Sequence, residues 1–95
     1  MYRIIDGRGS GKTSRLMLLA KETGSTIACA NPYAMREKAH AYGIVGIDFI
    51  SYHDLINGEC ENPNVMIDEI EMFISHYICP ENKLTGYTLS VEGVK

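Results

Sequence analysis

Two clusters of residues in this chain have the types and spacing that chemistry requires. The first is Gly7-Arg8-Gly9-Ser10-Gly11-Lys12-Thr13-Ser14, rich in glycine and closed by a lysine and two hydroxyls. Glycines let backbone N–H groups approach a ligand without side chains in the way, and they accept dihedrals that other residues resist. Successive N–H groups in such a loop form a concavity suited to an anion. A helix opening at Lys12 would add its free N–H groups and the positive end of its dipole. The second cluster is Val65-Met66-Ile67-Asp68-Glu69, an apolar run that ends in two carboxylates. A divalent cation that keeps most of its waters needs one or two such carboxylates beside a phosphate.

The first run resembles the phosphate-binding Walker A loop of P-loop nucleoside triphosphatases. In that pattern the Lys12 ammonium reaches the β- and γ-phosphates and the Thr13 hydroxyl binds Mg²⁺. Gly7, Arg8, Gly9, Ser10, Gly11 and Ser14 complete the cradle. There is one departure. Where the pattern has its first glycine this chain has Asp6, followed by Gly7. Aspartate accepts left-handed dihedrals better than most residues, but a carboxylate beside the phosphates opposes anion binding.

The second run is similar to a Walker B strand followed by a catalytic glutamate. The resemblance implies that Asp68 joins Thr13 around Mg²⁺ and that Glu69 orients or deprotonates the attacking water. It also points to the additional-strand, catalytic-glutamate branch of the family, which includes helicase and terminase ATPase cores. Small phage- and prophage-encoded P-loop proteins share the layout. In that branch a polar residue on a late strand senses the γ-phosphate, for which Thr88 and Ser90 are the candidates.

The elements that must position these residues follow from the pattern. Tyr2 to Ile5 reads as a short strand ahead of the loop, and Lys12 to Thr23 as a helix stopped by Gly24. Thr26 to Ala30 reads as a buried strand. Asn31 is a natural N-cap and Pro32 a natural first helical residue for a helix over 33–42. Ile47 to Ile50 forms a third strand. Ser51 and Asp54 form a capping-box-like start to a short helix. Val65 to Ile67 has the all-apolar character of a parallel strand covered on both faces. Ile70 to Ile78 has helical spacing before Pro80, and Tyr87 to Val91 alternates like a strand. The expected architecture is α/β: a three-layer sandwich on a mostly parallel five-stranded sheet, a minimal P-loop fold in one domain over 1–95.

Composition limits the alternatives. Apolar residues make up 45% and charged residues 22%, a balance that excludes a disordered chain. The net charge of −3 gives no overall attraction for nucleic acid, and the basic residues form no run. Three cysteines without ligand-pair spacing read as reduced thiols. No stretch is long enough to span a bilayer, and Arg3 and Asp6 interrupt any leader-like apolar run. The expected setting is cytoplasmic, in the host if phage-encoded.

The resemblance implies ATP and Mg²⁺ as ligands, with slow or partner-stimulated hydrolysis to ADP and phosphate as the expected reaction. No arginine finger can be assigned. Arg8 and Arg15 lie too close to the loop, and Arg36 reads as a solvated helix residue. A finger supplies on the order of 10³–10⁵ in rate, so the isolated chain is expected to hydrolyse slowly. Another protein, or self-association, would have to contribute the missing charge. Three rival readings remain, one of them a degenerate fold that binds nothing because of Asp6. Another is a non-catalytic nucleotide- or partner-binding module. The third is a nucleoside kinase, although the cysteine lobe and lid of thymidine kinases are not visible.

Overall fold

A computed structural model of the chain describes residues 1–7 and 9–90. It is an α/β structure. Helix α1 spans Lys12–Thr23, strand β1 Thr26–Cys29, helix α2 Pro32–Ala41, strand β2 Phe49–Ser51 and helix α3 Tyr52–Ile56. Strand β3 spans Val65–Ile67 and helix α4 Ile70–Phe73, which continues into a π-helical turn over Ile74–Ile78.

Local chemistry explains most boundaries. Helix α1 ends because Gly24 takes a left-handed φ of 67° and its N–H bonds the Ala20 carbonyl. Helix α2 begins where the Asn31 side chain accepts from the Ala34 N–H at 3.1 Å with Pro32 in the first turn. Helix α3 begins where Ser51 Oγ accepts from the Asp54 N–H at 3.1 Å.

The three strands are parallel in the order β2-β1-β3. Ile27 pairs with Phe49 on one side and Met66 on the other, and Ala28 with Ile50 and Ile67. All four residues of the central strand are buried. Ile27 and Cys29 share a face by alternation. They cluster with Met17 and Ala20 of α1, Met35 and Ala39 of α2, and Phe49 of β2. Ala28 points to the opposite face and is fully buried as well. Burying a side chain such as Met17 or Ile27 contributes roughly 1.5–3 kcal/mol over leaving it in water.

The expected five-stranded sheet is not what forms. Among the described residues the sheet has three strands. Tyr2 to Ile5 is in no strand, and Tyr2 and Ile5 are 61% and 79% exposed. Four β-prone residues carry too little apolar surface to dock without a neighbouring strand in register, and local propensity is a weak determinant of β structure. Residues 87–90 form no strand either, and Val91 lies outside the described residues. Instead the Tyr87 hydroxyl bonds Glu71 Oε1 at 2.5 Å, tying that segment to α4. The polar residue expected on a late strand therefore has no such strand to carry it at Thr88 or Ser90.

Asn62 fastens the loop before β3 to the start of β1. Its Nδ2 donates to the Gly24 carbonyl at 2.8 Å and to Thr26 Oγ1 at 3.1 Å, while its Oδ1 accepts from the Asn64 N–H at 3.0 Å. Asn62→Ala is expected to destabilise the fold by about 1–3 kcal/mol, because it leaves partly buried groups unpaired. Chemical denaturation of the two proteins side by side measures this.

Candidate functional site

The position of the loop follows from connectivity. Helix α1 runs into β1 through the tight turn at Gly24 and Ser25, so the end of α1 that carries Lys12 lies away from the start of β1. Twelve residues of helix reach about 18 Å, enough to bring Lys12 to the carboxyl rim of the sheet. In a parallel sheet that rim gathers the residues following every strand. Asp68 and Glu69 follow β3 there, and the Asp68 N–H is fixed to the Ala28 carbonyl at 3.0 Å.

The two clusters meet at this rim. The Thr13 side chain lies near enough to Asp68 to act on its carboxyl. Lys12 Nζ stands 4.0 Å from Glu69 Oε1 and donates back to the Gly7 carbonyl at 3.4 Å. Lys12 thus spans the space between its own loop and the end of β3. Gly9 and Gly11 take φ of 76° and 82°, where a side chain would be strained. Gly11 is the N-cap of α1 and provides no side-chain cap, and no acidic residue sits in the first turn. Ser14 Oγ donates to the Gly11 carbonyl at 3.0 Å. Ser10 is exposed in the loop. Arg8 lies outside the described residues.

Asp6 has local partners. It accepts from the Gly7 N–H at 2.8 Å and from Arg15 Nη2 at 3.2 Å. The Gly7 N–H first, and then Arg15, hold its carboxyl below the ordinary aspartate range. The carboxylate that departs from the loop pattern is therefore matched by a cation one turn into α1.

Asp68 is in the opposite condition. Burial raises its pKa, and the neighbouring Glu69 charge raises it further. Lys38, Lys12 and the Thr13 side chain act against this. Cys29 lies close by at the end of β1, where burial pushes its thiol up to about 11. Cys29, Cys60 and Cys79 are free thiols.

A concavity of about 180 Å³ adjoins the carboxylates on the side of α2, bounded by Asn31, Lys38, Tyr52, Asp68, Glu69 and Met72. No described residue of the 7–13 loop lines it. The two carboxylates therefore stand between this space and the loop.

Comparison with protein-family models, curated proteins and solved structures returned no match. The case for function rests on the site itself.

Two residues at the site were not singled out by sequence. Lys38 reads as one of several scattered cations, and Tyr52 as one of six tyrosines. The available signal for Tyr52 was its place directly after a strand and its cap. Its partners across the sheet have no trace in the sequence.

Among the described residues, no group of three or more His, Cys, Asp and Glu side chains could hold a metal ion alone. A magnesium ion shared with a phosphate takes one or two protein oxygens and keeps several waters. Thr13 and Asp68 are such a pair of hard oxygen donors. No helix of the described residues is long and apolar enough to cross a membrane.

Proposed function

We propose that this chain binds a nucleoside triphosphate, ATP, together with Mg²⁺, as a small member of the P-loop class, and that it hydrolyses the nucleotide slowly. The observation that carries this reading is the meeting of two sequence-distant clusters at one rim: Thr13 against Asp68, and Lys12 4.0 Å from Glu69. A surface loop and an unrelated strand end would have no reason to converge with these four residue types.

In this reading the glycine loop wraps the phosphates with its N–H groups, and the α1 N-terminus adds its dipole. Lys12 turns from the Gly7 carbonyl toward the phosphate oxygens. Thr13 and Asp68 supply two oxygens to Mg²⁺, which would neutralise charge on the phosphates when bound. Glu69, exposed and unencumbered by its own sheet contacts, orients a water and takes its proton. Arg15 is held by Asp6 and serves the loop.

A second reading, a nucleotide-dependent partner module, draws on the surface. Leu18, Val65, Ile70, Met72, Ile78 and Leu89 are large apolar side chains that are all exposed. Exposed apolar side chains mark association surfaces where they gather into one patch. A second copy or another protein docking there would also be the source of an arginine.

Glu69→Gln separates these readings. It is expected to keep Mg²⁺-dependent nucleotide affinity within about threefold of wild type and to lose phosphate release, since the amide cannot accept the proton. Equilibrium binding of a fluorescent ATP analogue and a phosphate-release assay, run on the same samples, check both. Unchanged phosphate release in the variant would remove Glu69 from the chemistry. Absent release in the wild type, with binding intact, would favour the partner module.

A further inference from the structure

Glu69 is the one described non-glycine residue with a left-handed backbone, at φ 57° and ψ 64°. That conformation is strained for a residue with a Cβ and persists where the surroundings over-determine it. The first bond of α4, from the Phe73 N–H to the Glu69 carbonyl at 3.1 Å, fixes one side of this turn. The other side is held by a residue from the far edge of the sheet.

That residue is Tyr52. It follows β2, and β1 lies between β2 and β3, so its ring reaches across the end of the central strand to meet the residues after β3. It is 1% exposed. Its hydroxyl hydrogen-bonds the Asp68 carbonyl, with the Glu69 carbonyl a second acceptor at 3.4 Å. Its ring is locked edge-on by Phe73 at 5.2 Å and Tyr77 at 5.3 Å, with interplanar angles of 63° and 71°. Both of those rings belong to the segment that follows Glu69. One phenol thus grips two consecutive peptide planes and the segment leading away from them.

Resting on the magnesium–nucleotide reading above, we propose that Tyr52 is a positioning residue, whose hydroxyl sets the peptide planes of Asp68 and Glu69 and thereby aims their carboxylates at the α1 N-terminus. The direction of each carboxylate depends on its Cα–Cβ vector, and that vector is fixed by the planes on either side. A carboxylate that swings off by an ångström leaves the reach of Thr13 or of a bound ion. Residues that orient ligands from behind are worth about 10–100-fold in metal affinity or activity.

The test uses Tyr52→Phe, which keeps the ring, beside Phe73→Leu, which loosens the ring packing but keeps the hydroxyl. The quantity read is the gain in affinity for a fluorescent ATP analogue on adding Mg²⁺. Tyr52→Phe is expected to retain the Mg²⁺-free affinity and to lose about tenfold or more of the gain. Phe73→Leu is expected to unfold at lower temperature with the gain intact. A second measurement needs no nucleotide. Glu69→Asn, which accepts the left-handed region more readily, is expected to lower the unfolding constant in the wild type and to lose that effect beside Tyr52→Phe, because the turn is then free to relax. Additive effects of the two substitutions would overturn the proposal, and so would an unchanged Mg²⁺ gain in Tyr52→Phe. Coupling between the substitutions in a wild type that binds no nucleotide would support Tyr52 as the hold on the turn and sink the functional reading alone.

Discussion

Lys12→Ala is expected to weaken nucleotide binding by at least about a hundredfold while leaving the fold unchanged. The size follows from charge-assisted contacts, each worth roughly 1.5–3 kcal/mol where a donor is ionised, and Lys12 would make more than one across the β- and γ-phosphates. Stability should move little. The Lys12 contacts with Glu69 at 4.0 Å and Gly7 at 3.4 Å are long, and ion pairs this exposed contribute about 0–1 kcal/mol. Titration with a fluorescent ATP analogue, alongside circular dichroism of both proteins, tests the pair of statements. Saturable binding by the folded variant equal to wild type would show that the loop does not hold phosphate.

Asp68→Asn is expected to raise thermal stability near neutral pH and to abolish the Mg²⁺-dependent part of nucleotide affinity. Burial, and then the Glu69 charge, raise the Asp68 pKa in the fold. An acid that holds its proton more tightly folded than unfolded favours the fold below its unfolded pKa, about 3.9. That contribution is lost as pH rises through the folded value. At neutral pH the ionised carboxylate therefore works against folding, and the neutral amide relieves it. The amide oxygen no longer offers a charge to a cation. Thermal midpoints across pH should separate the two proteins near pH 7 and converge below about pH 4. A variant less stable than wild type at neutral pH would mean that the Asp68 charge is compensated by its neighbours. Nucleotide affinity that still rises with Mg²⁺ would remove Asp68 from the metal site.

A half-buried aspartate beside a second carboxylate and a left-handed glutamate are both unfavourable in the fold. Both sit where a magnesium–phosphate group would compensate them.

The sequence by itself determined the first three helices, their caps and the two residue clusters. The α1 boundaries, the left-handed stop at Gly24, the Asn31 and Ser51 caps and strand β3 were all legible, because each depends on residues within one turn of one another. The loop and the paired carboxylates were legible for the same reason: their chemistry is written in consecutive residues. Tertiary structure alone decided the sheet. Tyr2 to Ile5 and Tyr87 to Ser90 have strand-like composition, but a strand exists only where a partner offers its backbone in register, and among the described residues only β1, β2 and β3 do so. Tertiary structure also decided the partners of Asp6 and the grip of Tyr52 on Asp68 and Glu69. The last of these spans two strands of a parallel sheet, a distance over which the order of residues in the chain carries no information about which side chains meet.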